Sequence, residues 1–216
     1  MDQMKILIVD DHPMMREALQ TALAEEPDMQ VIGEASNGID AIRLAAELTP
    51  DVIIMDLLMP GMGGLDAIAA IYSANPQAKL LVSTSLEEEE KILAAIQAGA
   101  LGYFPKTASR AYLLEAIRKV ADGVPYLPAE IAQKLFKGIR EMKVPSDKPV
   151  AEEPLTARQT EILALLGEGR SDQEIGKALH LEESTVRSHI HRILQRLGLE
   201  SRTQAVVYAN RKMSDK

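Results

Sequence analysis

The chain has 216 residues, of which 46% are hydrophobic and 26% charged, and it has no cysteine. That length admits one large domain or two modest ones, and the absent thiols exclude a disulfide framework and a thiolate metal site. The formal charge of −8 is uneven: residues 1–122 hold 9 Lys and Arg against 19 Asp and Glu, residues 123–154 balance at 5 and 5, and residues 155–212 hold 9 against 7. Such asymmetry suggests two domains with different partners, and it excludes the acidic half as a nucleic-acid binder. No apolar run reaches the roughly 18–20 residues that span a bilayer, and the first residues carry no signal-peptide pattern. A cytoplasmic protein is expected.

Lys5-Ile-Leu-Ile-Val9 reads as a buried strand and ends in Asp10-Asp11-His12-Pro13. Pro13 suits a helix first turn, with an Asp before it as cap. The apolar spacing of Met15, Ala18, Leu19, Ala22 and Leu23 predicts a helix to Ala24. Val31–Ala35 is a second strand. Gly38–Leu48 is a helix whose apolar face is Ile39, Ile42, Ala45, Ala46 and Leu48. Val52–Met55 is a central strand closed by Asp56, and the Pro/Gly loop Met59–Gly64 leads into a helix to about Ser73. Lys79–Thr84 is a fourth strand, Glu87–Ala98 a helix, Gly102–Phe104 a short fifth strand, and Ala108 to Asp122 a helix. Five strands alternating with five helices imply a parallel sheet covered on both faces.

An amphipathic helix is expected over residues 129–142 and an exposed linker over 143–154, rich in proline and charge. The strand pattern then stops. Leu155-Thr156 caps a helix to Gly167 that buries Ile162, Leu163, Leu165 and Leu166. Ser171-Asp-Gln-Glu174 has the form of a capping box opening a helix to Leu179. Ser184 caps a longer helix through Leu197, and a last helix runs from Arg202 to about Asn210. This is an all-α module centred on a helix–turn–helix.

In the usual doubly wound order strands one and three are neighbours, so Asp10, Asp11 and Asp56 converge at one rim. Three close carboxylates repel and are usually tolerated around a cation; an all-oxygen set favours Mg²⁺. Strand four adds Ser83-Thr84 and strand five is followed by Lys106. Metal site, nucleophile and donors are the parts of a phosphoryl-transfer centre. Each residue alone also has a plainer reading: Asp56 as a turn former, Asp11 as a cap, Thr84 as a strand end, Lys106 as a solvated side chain. Their joint placement on four strand ends favours the site.

Asp10-Asp11, Asp56-Leu-Leu-Met-Pro-Gly-Met-Gly-Gly64, Thr84 and Gly102-Tyr-Phe-Pro-Lys106 together resemble the receiver domain of bacterial two-component response regulators, over about residues 4–122. The resemblance implies a (βα)5 flavodoxin-like fold and a phosphoryl group accepted by Asp56 from a sensor histidine kinase. It also implies Mg²⁺ held by Asp11, Asp56 and the Leu58 backbone carbonyl, with Asp10 acting largely through water. Thr84 and Lys106 would contact the phosphoryl oxygens, and Tyr103 would change rotamer as a switch.

In the second half, Val186, Ile190, Ile193 and Leu197 share one face of their helix. Arg187, Ser188, His191, Gln195 and nearby Arg192 occupy the other, with no acid from 184 to 197. A polar, cationic face on the second helix of the pair suits the major groove, and a solvated face of a small bundle is the plainer alternative. Leu155-Thr-Ala-Arg158, Ser184-Thr185-Val186, His189 and Gly198-Leu-Glu-Ser-Arg202 resemble the LuxR-type (NarL/FixJ) DNA-binding domain, over about residues 152–212. By that resemblance Arg187, Ser188 and His191 face base edges of double-stranded promoter DNA, and Lys177, Thr185 and Arg192 contact phosphates. The last helix, with Ala205, Val206 and Tyr208, would form a homodimer surface. Three residues depart from the family pattern: Gln159 for Glu, Asp172 for Asn, and Gly176 for Ala, the last expected to cost its helix up to about 1 kcal/mol.

The pattern as a whole reads as a phosphorylation-dependent transcriptional regulator with a receiver at 1–122, a connection at 123–154 and a DNA-binding domain at 155–216. Two rivals are a Mg²⁺-dependent phosphohydrolase using Asp56 or Asp10, and a receiver acting only through protein contacts. Against the first, no second acid lies two residues from either Asp and no substrate cap is evident. The cationic helix weighs against the second.

Overall fold

The computed structural model describes residues 3–84, 89–128, 131, 155–199 and 201–214. It divides into two compact units, Met1–Ala121 and Asp122–Lys216. The expected helix at 129–142 (Ile131 apart), the linker at 143–154, and the first two residues of the helix expected from Glu87 lie outside the described residues.

In the first unit the elements are β1 (Met4–Val9), α1 (Pro13–Ala24), β2 (Met29–Ala35), α2 (Gly38–Leu48), β3 (Val52–Asp56), α3 (Gly64–Ala74), β4 (Leu80–Thr84), α4 (Glu89–Gln97), β5 (Gly102–Pro105) and α5 (Arg110–Ala121). The strands form one parallel sheet in the order β2-β1-β3-β4-β5. Ile6–Val9, Val52–Met55 and Leu80–Val82 are almost fully buried, as strands covered by helices on both faces must be. The register pairs Val9 with Met55, so Asp10 and Asp56 leave adjacent strands at the same level.

Two helices begin or face differently from expectation. The N-cap of α1 is His12, without a side-chain cap, rather than an Asp; the Asp10 carboxylate instead accepts from the His12 backbone N–H at 2.9 Å. On α2 the inward stripe runs through Gly38 and Ala41, which are buried, and Ile42 and Ala45, which are partly so. That rotation leaves Ile39 66% exposed. Ala46, two turns further along the same side, is exposed as well.

The second unit contains α6 (Ala157–Gly167), α7 (Asp172–Leu179), α8 (Glu183–Leu197) and α9 (Arg202–Ser214). Ile162, Leu163, Leu166, Ile175, Val186, Ile190, Ile193, Leu194, Ala205 and Ala209 form its core, with Leu165, Leu197, Val206 and Tyr208 packed partly buried against it. Both expected caps are present as full capping boxes, Thr156 with Gln159 and Ser171 with Glu174. Gln159 is buried and its amide oxygen accepts from the Thr156 N–H at 3.0 Å and from Arg196 at 3.1 Å. A neutral amide therefore does the capping of a Glu without burying a charge.

Three expectations fail in this unit. The N-cap of α8 is Glu182, not Ser184, because the N–H groups of Thr185 and Val186 already reach back to the Glu182 carbonyl. Ala205 is fully buried in the core and so is no part of an exposed dimer surface. Gly176 does more than loosen its helix: a Cβ there would stand 2.7 Å from the Leu181 backbone oxygen. Its carbonyl in turn accepts from the Leu181 N–H at 2.9 Å, so the turn lies directly against α7. Among the described residues no helix is long and apolar enough to cross a membrane.

Candidate functional site

The carboxylate-bearing ends of β1 and β3 meet at the C-terminal edge of the sheet, where open α/β sheets place ligands. Asp10 and Asp56 are 1% and 2% exposed, and Asp11 is partly buried beside them. From the loop after β5, the Lys106 ammonium lies 2.6 Å from Asp10 Oδ2 and 2.7 Å from Asp56 Oδ2. One cation thus offsets two buried anions. The Lys106 N–H donates to the Thr84 carbonyl at 3.2 Å, which ties this loop to the end of β4. Thr84 is fully buried and Tyr103, on β5, nearly so. The Leu58 N–H turns back onto Asp56 Oδ1 at 3.3 Å.

Burial is the largest influence on Asp56 and raises its pKa above the ordinary 3.8; the hydrogen bond and charge of Lys106 act in the opposite sense, and Asp10 adds to the rise. Burial also opposes the charge on Lys106, but its contacts with Asp10 and Asp56 outweigh that and its pKa is raised. Further positive charge at this rim would favour ionisation of Asp56.

The residues fit a hard divalent ion. One ligand atom each from Asp10, Asp11, His12 and Asp56 lies within 4.8 Å of the others. Asp10 Oδ2 and Asp11 Oδ1 are buried oxygens without an aligned hydrogen bond; their close neighbours are the Lys106 ammonium and the His12 imidazole. His12 is an addition to the expected set: its Nδ1 is 2.7 Å from Asp11 Oδ1 and 3.3 Å from Asp10 Oδ1. Its place before Pro13 signals only a helix start, so the sequence pattern hides it. Arg16 was equally hidden; its Nη1 donates to the Asp10 carbonyl at 2.7 Å while its Nε pairs with Glu34 at 3.0 Å.

In the second unit, α7 and α8 are joined through His180 in the left-handed region at φ 54°. Ser188, His191, Arg192 and Gln195 are exposed on α8, and Lys177 is exposed on α7. Thr185 is partly buried. The Ser188 hydroxyl donates to the Ser184 carbonyl at 3.0 Å, and His191 Nε2 meets Gln195 Nε2 at 3.0 Å. Arg187 is only partly free: its Nε is 3.3 Å from Asp172 Oδ2, and its Nη2 is paired with Glu183. The i,i+4 relation of Glu183 to Arg187 was readable in the sequence; the contact from Asp172, fifteen residues away, was not.

An acid pocket with a bridging lysine at the edge of a parallel sheet, on one chain with a helix–turn–helix, defines a DNA-binding protein under phosphoryl control. Residues 6–118 match the response regulator receiver domain, and residues 153–209 match the luxR family of bacterial regulatory proteins. The transcriptional regulatory protein LiaR of Bacillus subtilis (strain 168) is 42% identical over 207 residues, covering 96% of this chain and 97% of its own. The response regulator protein VraR of Staphylococcus aureus (strain NCTC 8325) is 38% identical over 205 residues, covering 95% of each chain. Among solved structures, the response regulator ChrA of a heme-sensing two-component system is 30% identical, with a TM-score of 0.53 and 99% of both chains covered. A LuxR-family response regulator from Aurantimonas is 34% identical with a TM-score of 0.59, covering 65% of this chain and all of that one. The chain belongs to the two-component response regulators that join a receiver to a LuxR-type DNA-binding domain, and it acts in phosphorylation-dependent regulation of transcription.

Proposed function

We infer that Asp56 is the phosphoacceptor and that its phosphorylation controls DNA binding through residues 155–212. The observation that carries this reading is the Lys106 ammonium held 2.7 Å from Asp56 Oδ2. A carboxylate oxygen of Asp56 attacks the phosphorus of a phosphohistidine on the sensor kinase; the P–O bond forms as the P–N bond breaks, and the imidazole leaves. Asp11, Asp56 and the Leu58 carbonyl would hold Mg²⁺, with Asp10 acting largely through water, and the ion would supply charge neutralisation for the phosphoryl oxygens. Lys106 then exchanges its Asp56 contact for a phosphoryl oxygen. The Thr84 hydroxyl turns to another, and Tyr103 follows by changing rotamer.

In the second unit Arg187, Ser188 and His191 read base edges, while Lys177, Thr185 and Arg192 meet phosphates. The phosphorylated protein acts as a homodimer on paired half-sites about one helical turn apart. Val206 and Tyr208 are its candidate contacts, Ala205 having been removed by its burial. The chain is a cytoplasmic switch and turns over no small phosphoester.

The test is incubation with Mg²⁺ and a small acyl phosphate, followed by intact mass measurement and titration against duplexes selected from random sequence. Wild type should gain one phosphoryl group and bind its selected duplex more tightly, and Asp56→Asn should do neither. Phosphorylation of Asp56→Asn, or equal DNA binding by that variant and the phosphorylated wild type, overturns the reading. Steady hydrolysis of a small phosphoester would point instead to a phosphohydrolase.

A further inference from the structure

Asp172 opens α7, yet its carboxylate is spent on two arginines from later in the chain. Oδ1 lies 2.5 Å from Arg202 Nη1 at the start of α9, and Oδ2 lies 3.3 Å from Arg187 Nε on α8. Arg202 is further fixed by Nη2 donating to the Arg170 carbonyl at 3.0 Å. Asp172 and Arg202 are each only 14% exposed, whereas Arg187 is 37% exposed and also paired with Glu183. So the one arginine expected at base edges has its Nε and Nη2 engaged by two acids. Its neighbour Arg192 and the nearby Lys177 are left at the surface.

We propose that Asp172 is a specificity-determining positioning residue, which holds Arg187 against α7 so that its charge is withheld from DNA phosphates and released only to a base edge that replaces the carboxylate. The proposal rests on Arg187 facing DNA. The physical argument is one of competition. A guanidinium already paired with carboxylates adds little to the non-specific attraction of the duplex, which depends on free positive charge. Exchange of Asp172 for a base edge returns energy only where two acceptors are presented together, as guanine does with O6 and N7. A flexible, unpaired arginine would take any phosphate within reach.

The chemistry of the side chain makes Asp172→Asn the informative change. An amide has one acceptor oxygen, and its NH₂ group would face the second guanidinium. Arg202 is the closer partner and has a second anchor at Arg170, so Arg187 is the one set free. Glu183→Gln removes the other acid on Arg187 without touching Arg202, and should act in the same direction.

The experiment measures dissociation constants of the full-length phosphorylated protein over a range of salt, on a duplex selected from random sequence and on its scrambled version. Asp172→Asn is expected to tighten binding to the scrambled duplex about 3- to 10-fold, and to steepen the salt dependence there by about one unit, as one added phosphate contact does. The ratio of selected to scrambled affinity should fall. In the double variant with Arg187→Ala these effects should vanish, and melting curves separate them from any loss of the Arg202 contact. Unchanged binding to the scrambled duplex in both Asp172→Asn and Glu183→Gln overturns the proposal, as does a gain that persists without Arg187. If Arg187→Ala alone leaves both duplexes unaffected, the placement of Arg187 at DNA is what fails.

Discussion

Lys106 Nζ stands almost equidistant from Asp10 Oδ2 and Asp56 Oδ2, at 2.6 and 2.7 Å, so a single ammonium holds together the ends of β1 and β3. Sheet hydrogen bonds bring these strands into register, but they do not remove the repulsion of the two carboxylates. Lys106 does so from the loop after β5, and its N–H to the Thr84 carbonyl links the remaining strand end. The pocket is thus one electrostatic unit drawn from four strands.

Lys106→Met should therefore leave two buried anions without their counter-ion. Removing one partner of a buried pair costs on the order of 3 kcal/mol, moderated here by protonation of Asp56. The thermal midpoint should drop, and Mg²⁺ should restore more of it than it adds to wild type. An equal Mg²⁺ shift in both proteins would mean that lysine and metal do not serve the same charges.

Acidity supplies a second prediction. The folded Asp56 carboxyl has a pKa above the ordinary 3.8, chiefly through burial. Between 3.8 and that raised value the folded chain binds more protons than the unfolded one, so this group's contribution to stability falls as pH rises through the window. Above it the full cost of the buried charge is present, and metal binding can relieve it. The Mg²⁺-induced rise in melting temperature should shrink as pH falls through the same window, because protons compete for Asp56. Asp56→Asn should lose this component of the pH dependence; a wild-type Mg²⁺ effect that is flat with pH would contradict it.

The sheet and its acid rim were legible because a strand buried on both faces is a continuous apolar run, and because a carboxylate ending such a run is conspicuous. Val52–Asp56 shows both signals. Helix orientation was less legible. Ile39 looks like a core residue by spacing, yet Gly38 and Ala41 set the inward face of α2 by close packing, and small side chains give little hydrophobic signal. The same applies to Ala205, whose burial depends on α6 and α8 rather than on its own helix. His12 and Asp172 were missed as partners because their contacts are made by side-chain direction and by chain reversal, neither of which has a period.

Gly64 is a further case in which the site depends on the absence of a side chain. Its N–H donates to the Leu57 carbonyl at 3.1 Å, and a Cβ would fall 1.9 Å from the Asp56 backbone oxygen. Gly64→Ala must therefore push the start of α3 away from the end of β3. A loss of about 1–3 kcal/mol in stability, as for other overpacked sites, should accompany weaker Mg²⁺ binding measured by titration calorimetry. Intact Mg²⁺ affinity in this variant would show that the loop can move without disturbing the carboxylates.

Thr84 tests how the pocket speaks to the rest of the protein. Its backbone oxygen is already tied to Lys106, while its hydroxyl is a donor fully buried at the strand end next to Asp56. A phosphoryl group on Asp56 adds about −1.5 to −2 charge and three acceptor oxygens, so a hydroxyl that turns to it distinguishes the two states. A hydrogen bond to a charged group contributes about 1.5–3 kcal/mol, which as a coupling energy corresponds to roughly 10- to 100-fold in an equilibrium. Thr84→Ala should accept a phosphoryl group on Asp56 at near the wild-type level, yet lose most of the phosphorylation-dependent gain in DNA affinity. Thr84→Ser, which keeps the donor, should retain it. The measurement is the ratio of dissociation constants with and without phosphorylation for each variant. If Thr84→Ala preserves that ratio, the signal leaves the pocket through Lys106 and its loop alone, and the hydroxyl serves only the strand end.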